Sequence, residues 1–177
     1  MRPVCPADLG QVAEIFRWYA VNSLATFEEA PRPHSYWSGH AEELASLGLP
    51  FLVADTGGMV AGYAYAGPWR RKPAYRLTVE DSVFVAPGRT GAGIGRRLLT
   101  ELLAACAEAG LRQVIAVIAD TGDPASVSLH RACGFAEAGR LNGVGFKQGQ
   151  WVDTLLMQRS IGTIPLACHD HVQPSVL

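Results

Sequence analysis

The chain has 177 residues, 49% hydrophobic and 18% charged, which excludes a disordered polymer and fits one domain with a full core. Fifteen Lys plus Arg against sixteen Asp plus Glu give a net charge of -1, without the basic excess of a general nucleic-acid binder. No apolar run reaches the roughly 18 residues of a membrane span, and Asp8 and Glu14 interrupt the first twenty positions, unlike a signal peptide.

These features predict a cytoplasmic protein with neither a nucleic-acid nor a membrane partner. Cys5, Cys106, Cys133 and Cys168 lie far apart with no C-x-x-C pair, which predicts incidental thiols in a reducing compartment.

Asp8 is placed to cap a helix whose apolar positions Leu9, Val12, Ile15, Phe16 and Tyr19 follow a 3.6-residue period. Ser35 to Leu47 reads as a second helix ending before Gly48. Phe51–Asp55, Thr56-Gly57-Gly58 and Val60–Ala66 read as strand, tight turn and strand. Gly67-Pro68 ends the pair, and Arg70-Arg71-Lys72-Pro73 is an exposed basic loop.

Thr78–Val85 is the next strand, stopped by Ala86-Pro87-Gly88. Gly95–Ala109 is the clearest helix, with Leu98, Leu99, Leu102, Leu103 and Cys106 on one face and Gly110 as its stop. Gln113–Ala119 is apolar on both faces, as a central strand should be. Asp123-Pro124 starts a helix that ends at Gly134. Strands are expected near Phe135–Asn142 and Trp151–Arg159.

The order α, α, β, β, β, α, β, α, β, β implies a mixed sheet with helices on its faces. One domain over 1–161 is expected. Residues 162–177 lack periodicity and read as a loose tail, whose Cys168-His169-Asp170-His171 lacks a second cluster to complete a metal site.

The densest chemical signal is Val83-Phe84-Val85-Ala86-Pro87-Gly88-Arg89-Thr90-Gly91-Ala92-Gly93-Ile94-Gly95-Arg96. A strand enters a loop of small residues that opens directly onto a helix. Glycines at alternate positions bare the backbone N–H groups, and a helix N-terminus favours negative charge, so the pattern predicts a phosphate or diphosphate cradle. Arg96-Arg97 after Gly95 breaks the Gly-Lys-Ser/Thr of a P-loop, and Arg96 also stands where a dinucleotide fingerprint needs glycine.

The spacing resembles the GNAT superfamily of N-acetyltransferases, in which such a loop holds the coenzyme A diphosphate. Gly91, Gly93 and Gly95 match, with Ile94 in the aliphatic place; Thr90 departs from the family's Arg or Gln. Ser23 to Glu28, Gly62-Tyr63-Ala64 with Trp69-Arg70, and Thr78 to Val85 are similar to the phosphinothricin acetyltransferase subgroup. So are Ser126 to His130 with Gly134-Phe135, and Gly145-Phe146-Lys147 with Trp151-Val152-Asp153.

The resemblance implies an α/β (α+β mixed) GNAT fold: a twisted, mostly antiparallel sheet, splayed between its fourth and fifth strands. It further implies acetyl-CoA as cosubstrate without a metal, an amino-acid analogue such as phosphinothricin, methionine sulfoximine or methionine sulfone as acceptor, and a homodimer. The alternatives left open are acetylation of another small amine or of a protein N-terminus, a non-catalytic acyl-CoA sensor, and a nucleotide-dependent kinase or dehydrogenase.

An amino-acid amine is protonated near pH 7, so the chemistry needs a base. Glu80, in an apolar strand before the loop, is the candidate, with Asp81 on the opposite face as the reserve. A backbone N–H near Val85 would polarise the thioester carbonyl. Val83, Phe84, Val85, Gly91, Ala92, Gly93, Ile94, Gly95, Arg96 and Ser126 are the expected cosubstrate contacts.

His130 stands where many relatives place a tyrosine that protonates the departing sulfur, and a histidine can donate there. Asp123 replaces a family asparagine beside the substrate and also suits a helix cap. Arg70, Arg71 and Lys72 could take a carboxylate or phosphinate oxygen, with Phe27 and Trp69 as apolar walls. Trp151 and Tyr75 are expected to pack.

Overall fold

A computed structural model describes residues 1–162; the remainder of the expected tail, including Cys168, His169, Asp170 and His171, lies outside the described residues. The elements are β1 (Arg2–Pro3), α1 (Leu9–Asn22), α2 (His34–Ser46), β2 (Phe51–Asp55), β3 (Val60–Pro68) and β4 (Thr78–Val85). They continue with α3 (Ile94–Glu108), β5 (Gln113–Ala119), α4 (Ala125–Ala132), β6 (Ala136–Lys147) and β7 (Gln150–Ser160).

Among the described residues the strands form a sheet in the order β1-β2-β3-β4-β5-β7-β6, and β4–β5 is its parallel pair. Helices cover both faces. Leu9, Val12, Ile15 and Phe16 of α1 and Trp37 and Leu44 of α2 pack with Phe51, Val53 and Tyr63 on one side. On the other, Leu98, Leu99, Leu102, Leu103 and Cys106 of α3 pack with Ala64, Ala66, Val79 and Val114. Each large apolar side chain so buried contributes about 1.5–3 kcal/mol; Leu99→Ala would cost about 2–5 kcal/mol through the cavity it leaves.

Glycine at 62 lets α3 lie close, since a Cβ there would meet the Phe84 carbonyl oxygen at 2.8 Å and Leu98 Cδ1 at 3.1 Å.

Three expectations need correction. Asp8 does not cap α1: its carboxylate instead accepts hydrogen bonds from the Arg2 guanidinium at 2.6 and 2.8 Å and from the Cys5 amide at 2.8 Å. Trp151 is 69% exposed and, among the described residues, meets one aromatic ring, that of Phe146, at 5.1 Å between centroids, while Tyr75 is exposed. The two-residue β1 is too short for periodicity to reveal, and it makes Thr78–Val85 the fourth strand.

The feature that positions the site is a divergence of β4 from β5. They pair only at Thr78↔Gln113, Val79↔Val114 and Glu80↔Ile115. Beyond Glu80, β4 continues along β3 to Val85, whereas β5 follows β7 from Gln113↔Ser160 to Ala119↔Thr154. Each strand keeps its antiparallel neighbour, and a V opens between them.

Candidate active site

The V is the base of a crevice of about 740 Å³ lined by Glu80–Val85 on one flank and Ala116–Ala119 on the other. Its rim includes Phe27, Arg89–Gly91, Gly93–Arg96, Asp123, Ser126 and His130.

The cradle has the geometry that glycine permits. Gly91 and Gly93 have φ of 80° and 77°, and Gly93 stands immediately before α3. A Cβ at either would meet nothing within 4 Å, so the space above them is open. No side chain caps α3, and its first-turn amides remain available to an anion. Gly95 packs against Leu129 and Val85, where an added Cβ would lie 3.4 and 3.5 Å away. Ala92 faces a separate hollow with Met1, Asp55 and Arg97.

The β4 edge supplies further donors. The Ala86 amide bonds to the Ala61 carbonyl on β3, and amides alternate sides along a strand. Val83 and Val85 therefore turn their N–H groups away from β3, toward the gap that β5 has left. The Tyr19 hydroxyl donates to the Val85 carbonyl at 2.8 Å and steadies the same strand end. Tyr19 was not among the sequence candidates, because its helical spacing explained it as core.

Glu80 and Asp81 point to opposite faces, as the strand period predicts: Glu80 lies opposite Gly67, beside Ser82↔Tyr65, and Asp81 opposite Ala66. Burial pushes the half-buried Glu80 carboxyl up from its ordinary range; the Asp81 charge adds to this and the Arg70 guanidinium opposes it.

Asp81 and His130 are 7% and 5% exposed. His130 Nε2 lies 3.0 Å from Asp81 Oδ2 and Nδ1 lies 2.7 Å from the Ser126 carbonyl oxygen, one turn back on α4. Burial acts downward on the imidazole, but the bond to Asp81, its charge and the Ser126 carbonyl together hold it above its ordinary value. Asp81 Oδ1 is buried without a partner among the described residues.

Asp123 is both cap and rim, its Oδ1 accepting the Ala125 amide at 2.9 Å. Trp69, Arg70, Arg71 and Lys72 are not brought to the crevice lining. Arg70 instead lies over the Trp69 ring, 4.7 Å from its centroid. Among the described residues no group of three His, Cys, Asp or Glu could hold a metal, and no helix is long and apolar enough to cross a membrane.

Residues 12–135 match the acetyltransferase (GNAT) family. The chain belongs to the GNAT family. This GNAT chain is an acyltransferase, and its relatives are close. A phosphinothricin N-acetyltransferase of Alcaligenes faecalis is 44% identical over 91% of this chain and 82% of its own length. An L-methionine sulfoximine/L-methionine sulfone acetyltransferase of Salmonella typhimurium is 33% identical over 92% of this chain and 95% of its own. The crystal structure of a Sinorhizobium meliloti phosphinothricin acetyltransferase in complex with AcCoA superposes with a TM-score of 0.87 at 43% identity, covering 91% of this chain and 87% of that one.

Proposed function

We propose that the chain acetylates the α-amino group of a small amino-acid analogue, of the phosphinothricin, methionine sulfoximine or methionine sulfone type, with acetyl-CoA as the donor. The observation that carries the reading is the crevice itself, which joins the uncapped amides of α3 to the Glu80 carboxyl. The relatives named above act on such substrates, and one is seen with AcCoA.

In this reading the amides of Gly91–Arg96, with Ser126, hold the diphosphate. Val83, Phe84 and Val85 lie along the donor's arm. When bound, acetyl-CoA supplies a thioester carbonyl open to attack by a neutral amine. The N–H groups of Val83 and Val85 face the gap as fixed donors for negative charge on a carbonyl oxygen. Glu80, raised toward neutrality by burial, takes the proton that the amine must lose. Phe27 and Asp123 border the amine's side.

A cysteine-bound acyl group is not part of the reading. The buried Cys106 thiol is pushed up to about 12 by burial and the Asp81 charge, and neither Cys106 nor Cys133 lines the crevice.

His130 is the proposed acid toward the departing sulfur. Because Ser126 and Asp81 occupy both of its nitrogens, delivery of a proton requires Nε2 to exchange Asp81 for sulfur. That same geometry favours a second reading, in which His130 ties α4 to β4 and shapes the crevice.

Initial rates of thiol release with acetyl-CoA and a panel of amines test the proposal. Turnover of phosphinothricin or methionine sulfone is expected; turnover confined to peptide N-termini would move the chain to the alternative acceptor class. A homodimer, through the resemblance, and a cytoplasmic setting, through the sequence composition, are part of the proposal, and light scattering tests the first.

A further inference from the structure

The Gly145-Phe146-Lys147 motif at the end of β6 has no part in the chemistry above, yet the chain invests a buried charge there. Lys147 is 2% exposed, and among the described residues its ammonium forms no ion pair. It donates instead to two backbone carbonyls, those of Ser23 and Thr26, at 2.7 Å each. The next residue, Gln148, donates from Nε2 to the Val21 carbonyl at 3.1 Å.

These acceptors lie at the C-terminus of α1 and in the loop after it, where carbonyls lack helical partners and the helix dipole favours a cation. A hairpin more than 120 residues away in sequence thus caps α1.

Strand periodicity explains the rest of the motif. Gly145 and Lys147 share one face of β6, and Phe146 takes the other, where it is 55% exposed against Trp151. The Phe27 ring rests on Gly145: a Cβ built there would lie 2.0 Å from Phe27 Cε1. Phe27, with Ser23, Ala25 and Thr26, lines the same crevice as Glu80. One face of one strand therefore holds the loop by its carbonyls and gives its aromatic ring a floor.

We propose that the Gly145–Lys147 face of β6 is a seat that fixes the Ser23–Glu28 loop and thereby sets the amine specificity of the crevice through Phe27. Lys147 is a positioning residue here, and Gly145 keeps its place because any side chain would lift the Phe27 ring. The inference rests on the functional reading above in assigning this wall to the amine.

Two single variants, a Phe27→Ala background and two readouts test it. Gly145→Ala displaces the edge of the Phe27 ring, and that side chain is 39% exposed and free to swing outward, so the fold survives. It should raise the KM for methionine sulfone or phosphinothricin at least tenfold, with the acetyl-CoA KM changed less than twofold. Lys147→Met should show the same split and also speed amide hydrogen exchange in residues 19–30. Gly145→Ala added to Phe27→Ala should have no further effect.

An unchanged amine KM in both variants, a parallel rise in the acetyl-CoA KM, or unaltered exchange in Lys147→Met overturns the proposal. If wild type acetylates no amine, the functional reading fails and the specificity claim with it. Exchange then still decides whether Lys147 holds the loop.

Discussion

His130 Nε2 and Asp81 Oδ2 lie 3.0 Å apart between α4 and β4, in surroundings that exclude most water. With Nδ1 also facing a carbonyl, both ring nitrogens have acceptors, an arrangement that favours the imidazolium. The folded-state pKa of His130 is raised, so its contribution to stability is full below the unfolded value of about 6.5 and is lost as pH rises through the folded value. Asp81→Asn should therefore lower the melting temperature most near pH 6, with the gap narrowing toward pH 9. A gap that widens with pH would show that the pair is not held charged.

Glu80 acts as a base only when ionised, and its pKa is raised by burial and by Asp81. The rate should therefore rise with pH along a limb centred above the ordinary glutamate range. Glu80→Gln should lower kcat by about 10²–10⁴ while CoA binding persists. Arg70 opposes the upward shift without lining the crevice, so Arg70→Ala should move the limb to higher pH. A pH profile of kcat/KM that does not respond to Arg70→Ala would detach Glu80 from that limb.

At the cradle, Gly93 is held at φ 77°. Alanine there meets no internal clash but carries about 1–2 kcal/mol of left-handed strain. Gly93→Ala should fold, raise the acetyl-CoA KM about tenfold and leave the amine KM nearly unchanged. Calorimetric titration with CoA checks this apart from catalysis, and wild-type affinity in the variant would place the diphosphate elsewhere.

The Arg2–Asp8 pair joins β1 to the start of α1, and Arg2 Nε reaches Asp55 Oδ2 at 3.0 Å. The Arg2 guanidinium and the Cys5 amide hold the Asp8 carboxyl well below the usual range, against burial. A depressed pKa contributes stability above the unfolded value of about 3.9 and loses it as pH falls. Asp8→Asn should thus melt below wild type at pH 7, with the difference closing under pH 4. Equal melting at neutral pH would mean that the pair adds nothing to the fold.

Much of this was legible in residues. Periodicity located α1 and α3 because their apolar stripes are long, a short apolar run without alternation located β5, and alternate glycines before α3 announced the cradle. The divergence of β4 and β5 was not legible from pattern, since both strands read as ordinary apolar runs; it entered through the resemblance. β6 and β7 extend beyond the expected 135–142 and 151–159, because Gly139, Gly143, Gly145 and Gly149 mask strand character without preventing pairing. The Asp81–His130 bond and the Lys147 seat join residues 49 and more than 120 apart, and no local signal carries that distance. Arg70, Arg71 and Lys72 looked like an anion site by charge alone; they are not among the residues that line the crevice, although the Arg70 charge acts on Glu80.

The central claim is that the V between β4 and β5 receives acetyl-CoA with its diphosphate on the first turn of α3. A crystal structure of the protein with CoA measures this directly. The account predicts the diphosphate on the amides of Gly91 through Arg96 and the sulfur arm beside Val83–Val85, within reach of Glu80. CoA bound elsewhere, or an arm that avoids the gap, would contradict it.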